Sequence, residues 1–216
     1  MAGLLTLPVF AVLALGGASA VAPNPYVEIV QLEQSRSLGN GQLADFVSSS
    51  NRAIAVRAAL AIGRAKQASG LPLLERHIRD RDVAMRAMAV YGIGLIGGEG
   101  AAGSVLSTLN DTSETVRISA LDATDRLQSA HTFDRTHEQR AFASVTRLLK
   151  QPNAVVRARA ATTLESFAGG AQDRAALAAL SNAYAGERDP YVRWHIVWSL
   201  FRGYAKEASL PLLRRA

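Results

Sequence analysis

Apolar residues recur along this chain at a spacing longer than any one helix turn or strand can explain. Leu43, Leu74 and Val105 lie 31 residues apart, and Ile54, Met85 and Val116 repeat the step, each 11 residues after its partner. The 11-residue offset returns at Val145 and Val156 after an insertion, and a looser copy is centred on Val192, so the chain holds five copies of one unit. With Ile54, Met85, Val116, Val156 and Val192 as position 0, position 4 is Ala58, Ala89, Ala120, Ala160 and Ile196, and position 8 is Ile62, Ile93, Thr124, Leu164 and Leu200. On a helix of about 3.6 residues per turn these positions fall within an arc of roughly 100°. Each copy therefore predicts a helix with one apolar stripe.

A second helix is predicted ahead of each stripe. Leu71, Leu73, Leu74 and Ile78 precede one, and Val105, Leu106 and Leu109 precede the next. Gly63, Gly92, Ala123, Thr163 and Ser199 are small enough to let a neighbouring helix approach closely. One such helix pair cannot bury its own apolar face, whereas a stack of pairs can. The expected fold is all-α: an α-solenoid of about five helical hairpins, with a sixth truncated.

Breaks between the periodic segments agree with this division. Gly70, Gly97-Gly98-Glu99-Gly100, Pro152-Asn153 and Gly169-Gly170 supply loop chemistry, and Asp82, Ser113, Asn153 and Asp189 stand where second-helix N-caps belong. The one irregular joint, Ser129 to Gln139, stretches the third spacing to 40 and is expected to be an extended loop. Upstream, residues 21–40 read as a linker and a short capping helix over Tyr26–Ser35, with the repeats filling 41–216. Ser209-Leu210-Pro211-Leu212-Leu213 nearly copies Ser69 to Leu74, so a further hairpin is expected to continue the stack beyond Ala216 and cover those leucines.

Met85-Arg86 through Gly94, Val116-Arg117 with Ala120, Val156-Arg157 with Ala160, and Asp189-Pro190-Tyr191-Val192-Arg193 resemble the V-R-x-x-A core of HEAT repeats, over roughly residues 40 to 216. The first copy departs from that pattern, with Ala55 at the arginine position and Arg57 two residues late. The last carries Ile196 for the usual alanine, which implies wider packing there.

Leu4 to Ala20 is uncharged and ends in Ala18-Ser19-Ala20, as an export signal cleaved before Val21 would, although only the terminal amine precedes the apolar run. The expected location is exported, periplasmic or extracellular. If the segment stays uncleaved it becomes an anchor through residues 4–20, short as that is for a membrane span.

Charge and candidate chemistry narrow the function classes. The chain has 24 basic and 18 acidic residues, a formal +6, but no basic run. Arg86, Arg117, Arg157 and Arg193 recur at one position and read as a structural ladder, not a nucleic-acid patch. There is no cysteine, which excludes disulfides, thiolate zinc sites and cysteine nucleophiles. His77, His131, His137 and His195 are isolated, with no carboxylate at metal-ligand spacing. His137-Glu138 is similar to the iron-binding step of HEAT-type hydroxylases, but that family uses several such steps. No catalytic residue, metal or cofactor is expected.

The candidate site is the face opposite the stripe, at positions 2, 6 and 9 of each second helix, which the HEAT resemblance places on the concave side. It is apolar at Val56, Leu60 and Gly63 and at Ala87, Tyr91 and Gly94, acidic at Asp122, Asp125 and Glu165, and aromatic at Trp194, Trp198 and Phe201. Exposed tryptophan and tyrosine anchor interfaces and an acidic strip repels phosphate, so this face favours a polypeptide over nucleic acid. The expected function is a non-catalytic protein–protein scaffold, its partner another protein or a downstream domain of the same chain. The export signal, Leu32-Glu33 with Arg36, Gly63-Arg64 and Leu74-Glu75 also resemble bacterial proteins that join HEAT repeats to a cyclophilin-type peptidyl-prolyl isomerase. The alternative class is a phycobilisome-lyase-like HEAT enzyme that binds or modifies a bilin.

Overall fold

The structure is a computed structural model and describes residues 24–98 and 100–204. Asn51, Asp82, Asn153 and Asp189 each turn an extended or loop segment into a helix. Their side-chain oxygens accept the backbone N–H groups two and three residues on, as Asp82 does from Ala84 and Met85 at 2.7 and 3.1 Å. Ser113 holds the same place without a side-chain bond. Asn51 shares the period of the others and marks the first unit's start as well as they mark theirs.

Eleven α-helices result among the described residues: α1 (Pro25–Gln34), α2 (Gln42–Val47), α3 (Arg52–Ala65), α4 (Leu71–Glu75), α5 (Val83–Ile96), α6 (Ala101–Thr108), α7 (Glu114–Ser129), α8 (Arg135–Leu148), α9 (Ala154–Glu165), α10 (Asp173–Gly186) and α11 (Pro190–Tyr204). No strand is present among those residues. The pairs α2/α3, α4/α5, α6/α7, α8/α9 and α10/α11 are the five hairpins, and α1 packs against α3 at the N-terminal end of the stack. The fold is the α-solenoid that the period implies.

The stack has two unequal layers. Helices α3, α5, α7, α9 and α11 each pack along the next, while the first helices meet one another far less. In a curved stack the closely spaced layer is the inner one, so the second helices line the concave side. Glycine makes the closest approaches possible: a Cβ on Gly63 would lie 2.5 Å from Gly92 Cα, and one on Gly94 would lie 2.5 Å from Ala123 Cβ. No side chain fits at either point.

Met85, Val116, Val156, Ala58, Ala89, Ala120, Ala160 and Ile196 are fully buried, and Val192 nearly so. Thr124, the polar member of position 8, is buried as well and donates its hydroxyl to Ala120 O at 2.8 Å, which satisfies it. Ile54 corrects the expected register slightly. It is only partly buried, and Ala55 is fully buried beside it, because the alanine that stands in for the usual arginine has no charge to keep in water.

The irregular joint also differs from expectation. Helix α7 runs to Ser129 and α8 starts at Arg135, so the added residues lengthen a helix and the loop is short. Asp134 explains the early start: its Oδ1 accepts the His137 N–H at 2.7 Å, so His137, Glu138 and Gln139 are already helical.

The recurring arginines do form a ladder, with a partner at position −5 that the sequence reading missed. Each Nη1 of Arg86, Arg117 and Arg157 donates to backbone carbonyls of the loop just before its own helix, at 2.6 to 3.3 Å. Arg86 then reaches Asp111 of the next hairpin, and Arg157 reaches Glu187. In the first unit, where Ala55 replaces the arginine, Arg52 reaches forward instead to Asp80 and Asp82 at 2.7 and 3.3 Å. The third junction breaks the series, since Gln151 stands at the acid's position. There Asn153 bonds Glu114 at 2.6 Å and Arg147 bonds Asn110.

The Leu4–Ala20 segment, expected to be an export signal, and the Ser209–Leu213 run lie outside the described residues. No described helix is long and apolar enough to cross a membrane.

Candidate functional site

Positions 2, 6 and 9 do not share one outward face. The packing of the second helices on one another draws in part of positions 2 and 9: Ala87, Ala158, Gly63 and Gly94 are buried, while Asp125 and Glu165 at position 9, and position 6 at Leu60, Tyr91, Asp122, Thr162 and Trp198, stay at least partly in solvent. The expected single surface is therefore two. Position 6 lines the concave side together with Asp125 and Glu165 at position 9, while Ala87, Ala158, Gly63 and Gly94 meet the neighbouring unit.

Helix α11 is the last second helix of the described stack, and its residues at these positions are aromatic. Trp194 is 57% exposed where the equivalent Ala158 is 1% exposed, and Phe201 is 56% exposed at the position of the buried glycines. Trp198, at position 6, turns toward the concave side. One helical turn separates the two tryptophans, and their rings stack at 5.5 Å with planes 9° apart; Phe201 stands 6.4 Å from Trp198. They form one patch that wraps from the edge of the stack onto its inner surface.

Beside Trp198, a cleft of about 350 Å³ opens between α7, α9 and α11, lined by Asp125, Arg159, Thr162, Glu165, Trp198 and Arg202. Three residues singled out from sequence thus meet at one place. Asp122 lies next to it, paired with Arg159. Tyr91 stands apart on α5, where Arg126 donates to its hydroxyl at 3.2 Å and lies 5.3 Å from its ring centre.

The middle of the face is not a bare acidic strip. Arg159 pairs with Asp122 and lies 3.8 Å from Asp125, and Arg202 pairs with Glu165 at 2.9 Å. Burial pushes the carboxyls of Asp122, Asp125 and Glu165 above their ordinary range, and the neighbouring arginines recover only part of that cost. Sequence reasoning missed these cations because Arg159 and Arg202 fall at positions 3 and 10, away from the ladder. They counted there as scattered surface charge.

His195 is held between aromatic rings, 4.6 Å from Tyr191 and 4.8 Å from Trp194, and burial together with the Arg159 charge lowers its pKa. His137 pairs with Asp134 at 2.8 Å as part of the α8 cap, and His77 lies 3.2 Å from Asp80. Among the described residues no group of three or more histidines and carboxylates could hold a metal ion.

The family profile described as HEAT repeats matches residues 42–125 and 142–216. Among solved structures, the complex of CpcE and CpcF of phycocyanin lyase from Nostoc sp. PCC7120 is similar at a TM-score of 0.63 with 17% identity, over 79% of this chain and 98% of that one. A designed armadillo repeat protein in complex with the peptide (KR)4 is similar at 0.60 with 20% identity, over 81% of this chain and 85% of that one. At these identities the likeness is one of fold. No curated protein matches the chain. With a profile covering most of its length, a V-R-x-x-A core in its units and paired helices stacked in the structure, this chain belongs to the HEAT-repeat family.

Proposed function

We propose that this chain is a non-catalytic scaffold that binds a polypeptide on its concave face, in the cleft between α7, α9 and α11. The observation that carries the reading is the exposed patch of Trp194, Trp198 and Phe201 continuous with a cleft bearing Asp125 and Glu165. Flat aromatic rings with few rotatable bonds anchor interfaces at low entropic cost, and adjacent polar groups fix register. The designed armadillo protein in complex with (KR)4 supports the reading, since it is a similar stack that holds a peptide. The partner is another protein or a second domain of the same chain, the resemblance naming a cyclophilin-type peptidyl-prolyl isomerase. The setting we propose is outside the cytoplasm, which N-terminal sequencing tests: a mature chain starting at Val21 supports it, and an intact Met1 on cytosolic protein refutes it.

A peptide array of varied charge, probed with the full chain and with Trp198→Ala, tests the binding reading. Retention of a subset of peptides by the wild type and its loss in the variant is the expected result. No retention of any peptide sinks it.

The lyase complex from Nostoc favours a second reading, a bilin-binding or bilin-modifying protein, because 98% of that chain is matched here. Titration with a free bilin separates the two. A red-shifted, sharpened absorption band supports bilin binding, and an unchanged spectrum supports the scaffold.

A further inference from the structure

The cleft already contains a basic side chain. Arg202 Nε lies 2.9 Å from Glu165 Oε1 as an ion pair, and the same guanidinium lies 5.9 Å from the centre of the Trp198 ring. A carboxylate next to an aromatic face is the pair of groups that recognises guanidinium or ammonium, one through a charge-assisted hydrogen bond and the other through the ring quadrupole. Arg202 lies against both groups, as the ion-pair partner of Glu165 and beside the Trp198 ring.

The two arginines of the cleft differ in how firmly they are held. Arg159 is 33% exposed and shared between two carboxylates, whereas Arg202 is 57% exposed and has one. An exposed pair of that kind is weakly held, because ordering two long side chains offsets most of the attraction. When Arg202 swings into solvent, Glu165 is left partly buried beside an open indole face. Asp125 lines the same cleft, its ion-pair contact with Arg159 being the long one at 3.8 Å. The cleft then carries uncompensated negative charge next to an exposed ring.

Resting on the polypeptide-binding reading, we infer that Glu165 and Trp198 form a subsite for an arginine or lysine side chain of a basic polypeptide, and that Arg202 occupies it in the free protein as an internal competitor. Asp125 takes a second basic residue further along the same segment. An acidic partner would require the opposite, with Arg202 as the binding group, so the sign of the Arg202 effect decides between them.

Fluorescence anisotropy of labelled (KR)4 against the full chain reads this sign. Arg202→Ala should tighten binding by about threefold or more, since the competitor it removes is an exposed ion pair. Glu165→Gln should weaken it at least about tenfold while circular dichroism stays unchanged, because a charge partner of the ligand is lost. Weaker or unchanged binding by Arg202→Ala overturns the inference. If (KR)4 is not held but peptides of another class on the array are, the inference fails and the polypeptide reading stands. If nothing is held in either assay, the reading itself fails.

Discussion

Arg86 donates Nε and Nη2 to the two carboxylate oxygens of Asp111, at 2.8 and 3.0 Å, across the boundary between the second and third hairpins. The same guanidinium caps the carbonyl of Asp80 at 2.8 Å, and Asp111 also accepts the Ser113 N–H at 2.8 Å. One pair thus closes a loop, caps a helix and ties two units together. Arg157 and Glu187 repeat the arrangement, with Glu187 accepting the Asp189 N–H at 2.9 Å.

Asp111→Asn should therefore lower stability by about 2 kcal/mol at neutral pH, the loss expected when hydrogen bonds to a charged, mostly buried group are removed. Burial raises the carboxyl's pKa, but the bonds from Arg86 and the Ser113 amide and the nearby charges outweigh it and hold the pKa below the ordinary 3.8. A depressed folded value means the unfolded chain binds the proton first, so this stability is fully present above pH 3.8 and is lost as pH falls through the folded value. Urea melts of both proteins should differ at pH 7 and converge at the acid end. A constant difference would show that Asp111 acts by shape and not by charge.

Gly63→Ala and Gly103→Ala should have opposite signs. Alanine is the better helix former by about 0.8–1 kcal/mol. At Gly103 nothing lies within 4 Å of the added methyl, so thermal denaturation should show a gain of that order. At Gly63 the methyl would sit 2.5 Å from Gly92 Cα, which is backbone and cannot step aside. Overpacking costs typically 1–3 kcal/mol, so α3 and α5 must separate and the melting point should fall. A higher melting point for Gly63→Ala would mean that the layer is looser than its geometry.

Ala120→Asp places a charge where Ala120 is fully buried between units. An unpaired buried carboxylate costs several kcal/mol. An unchanged melting temperature would refute the placement of α7.

The stripe was legible because a period of 31 repeated twice leaves little freedom in register, and Met85, Val116 and Ala120 lie where it puts them. Asn51 obeys the same period as Asp82 and Ser113. The face of Trp198 was half legible. Counting helical angles put position 6 in solvent but could not show that Ala87, Ala158, Gly63 and Gly94 are covered, because that depends on how closely the next helix sits, and Gly63 against Gly92 decides it. The pairing of Arg159 with Asp122 and of Arg202 with Glu165 joins residues from different hairpins at unlike repeat positions, 3 with 6 in one case and 10 with 9 in the other. Periodicity carries no information about such contacts, so the middle looked acidic.

Trp198→Ala and Trp194→Ala separate the two surfaces that meet on α11. Truncating an aromatic anchor inside an interface typically costs about 2 kcal/mol or more, at least a tenfold loss of affinity. If a polypeptide lies in the concave cleft, Trp198→Ala should reach that loss and Trp194→Ala should fall short of it, since Trp194 supports the site only through the 5.5 Å stack. If instead a further helical unit seats on the end of the stack, the ranking reverses. Trp194 and Phe201 hold the register that Ala158 and Gly63 hold inside it, and Trp194→Ala would then cost the more. Both side chains are exposed, so neither substitution should change the far-ultraviolet dichroism by itself. If either variant unfolds α11, the patch is packing and the binding site must lie elsewhere on the concave face.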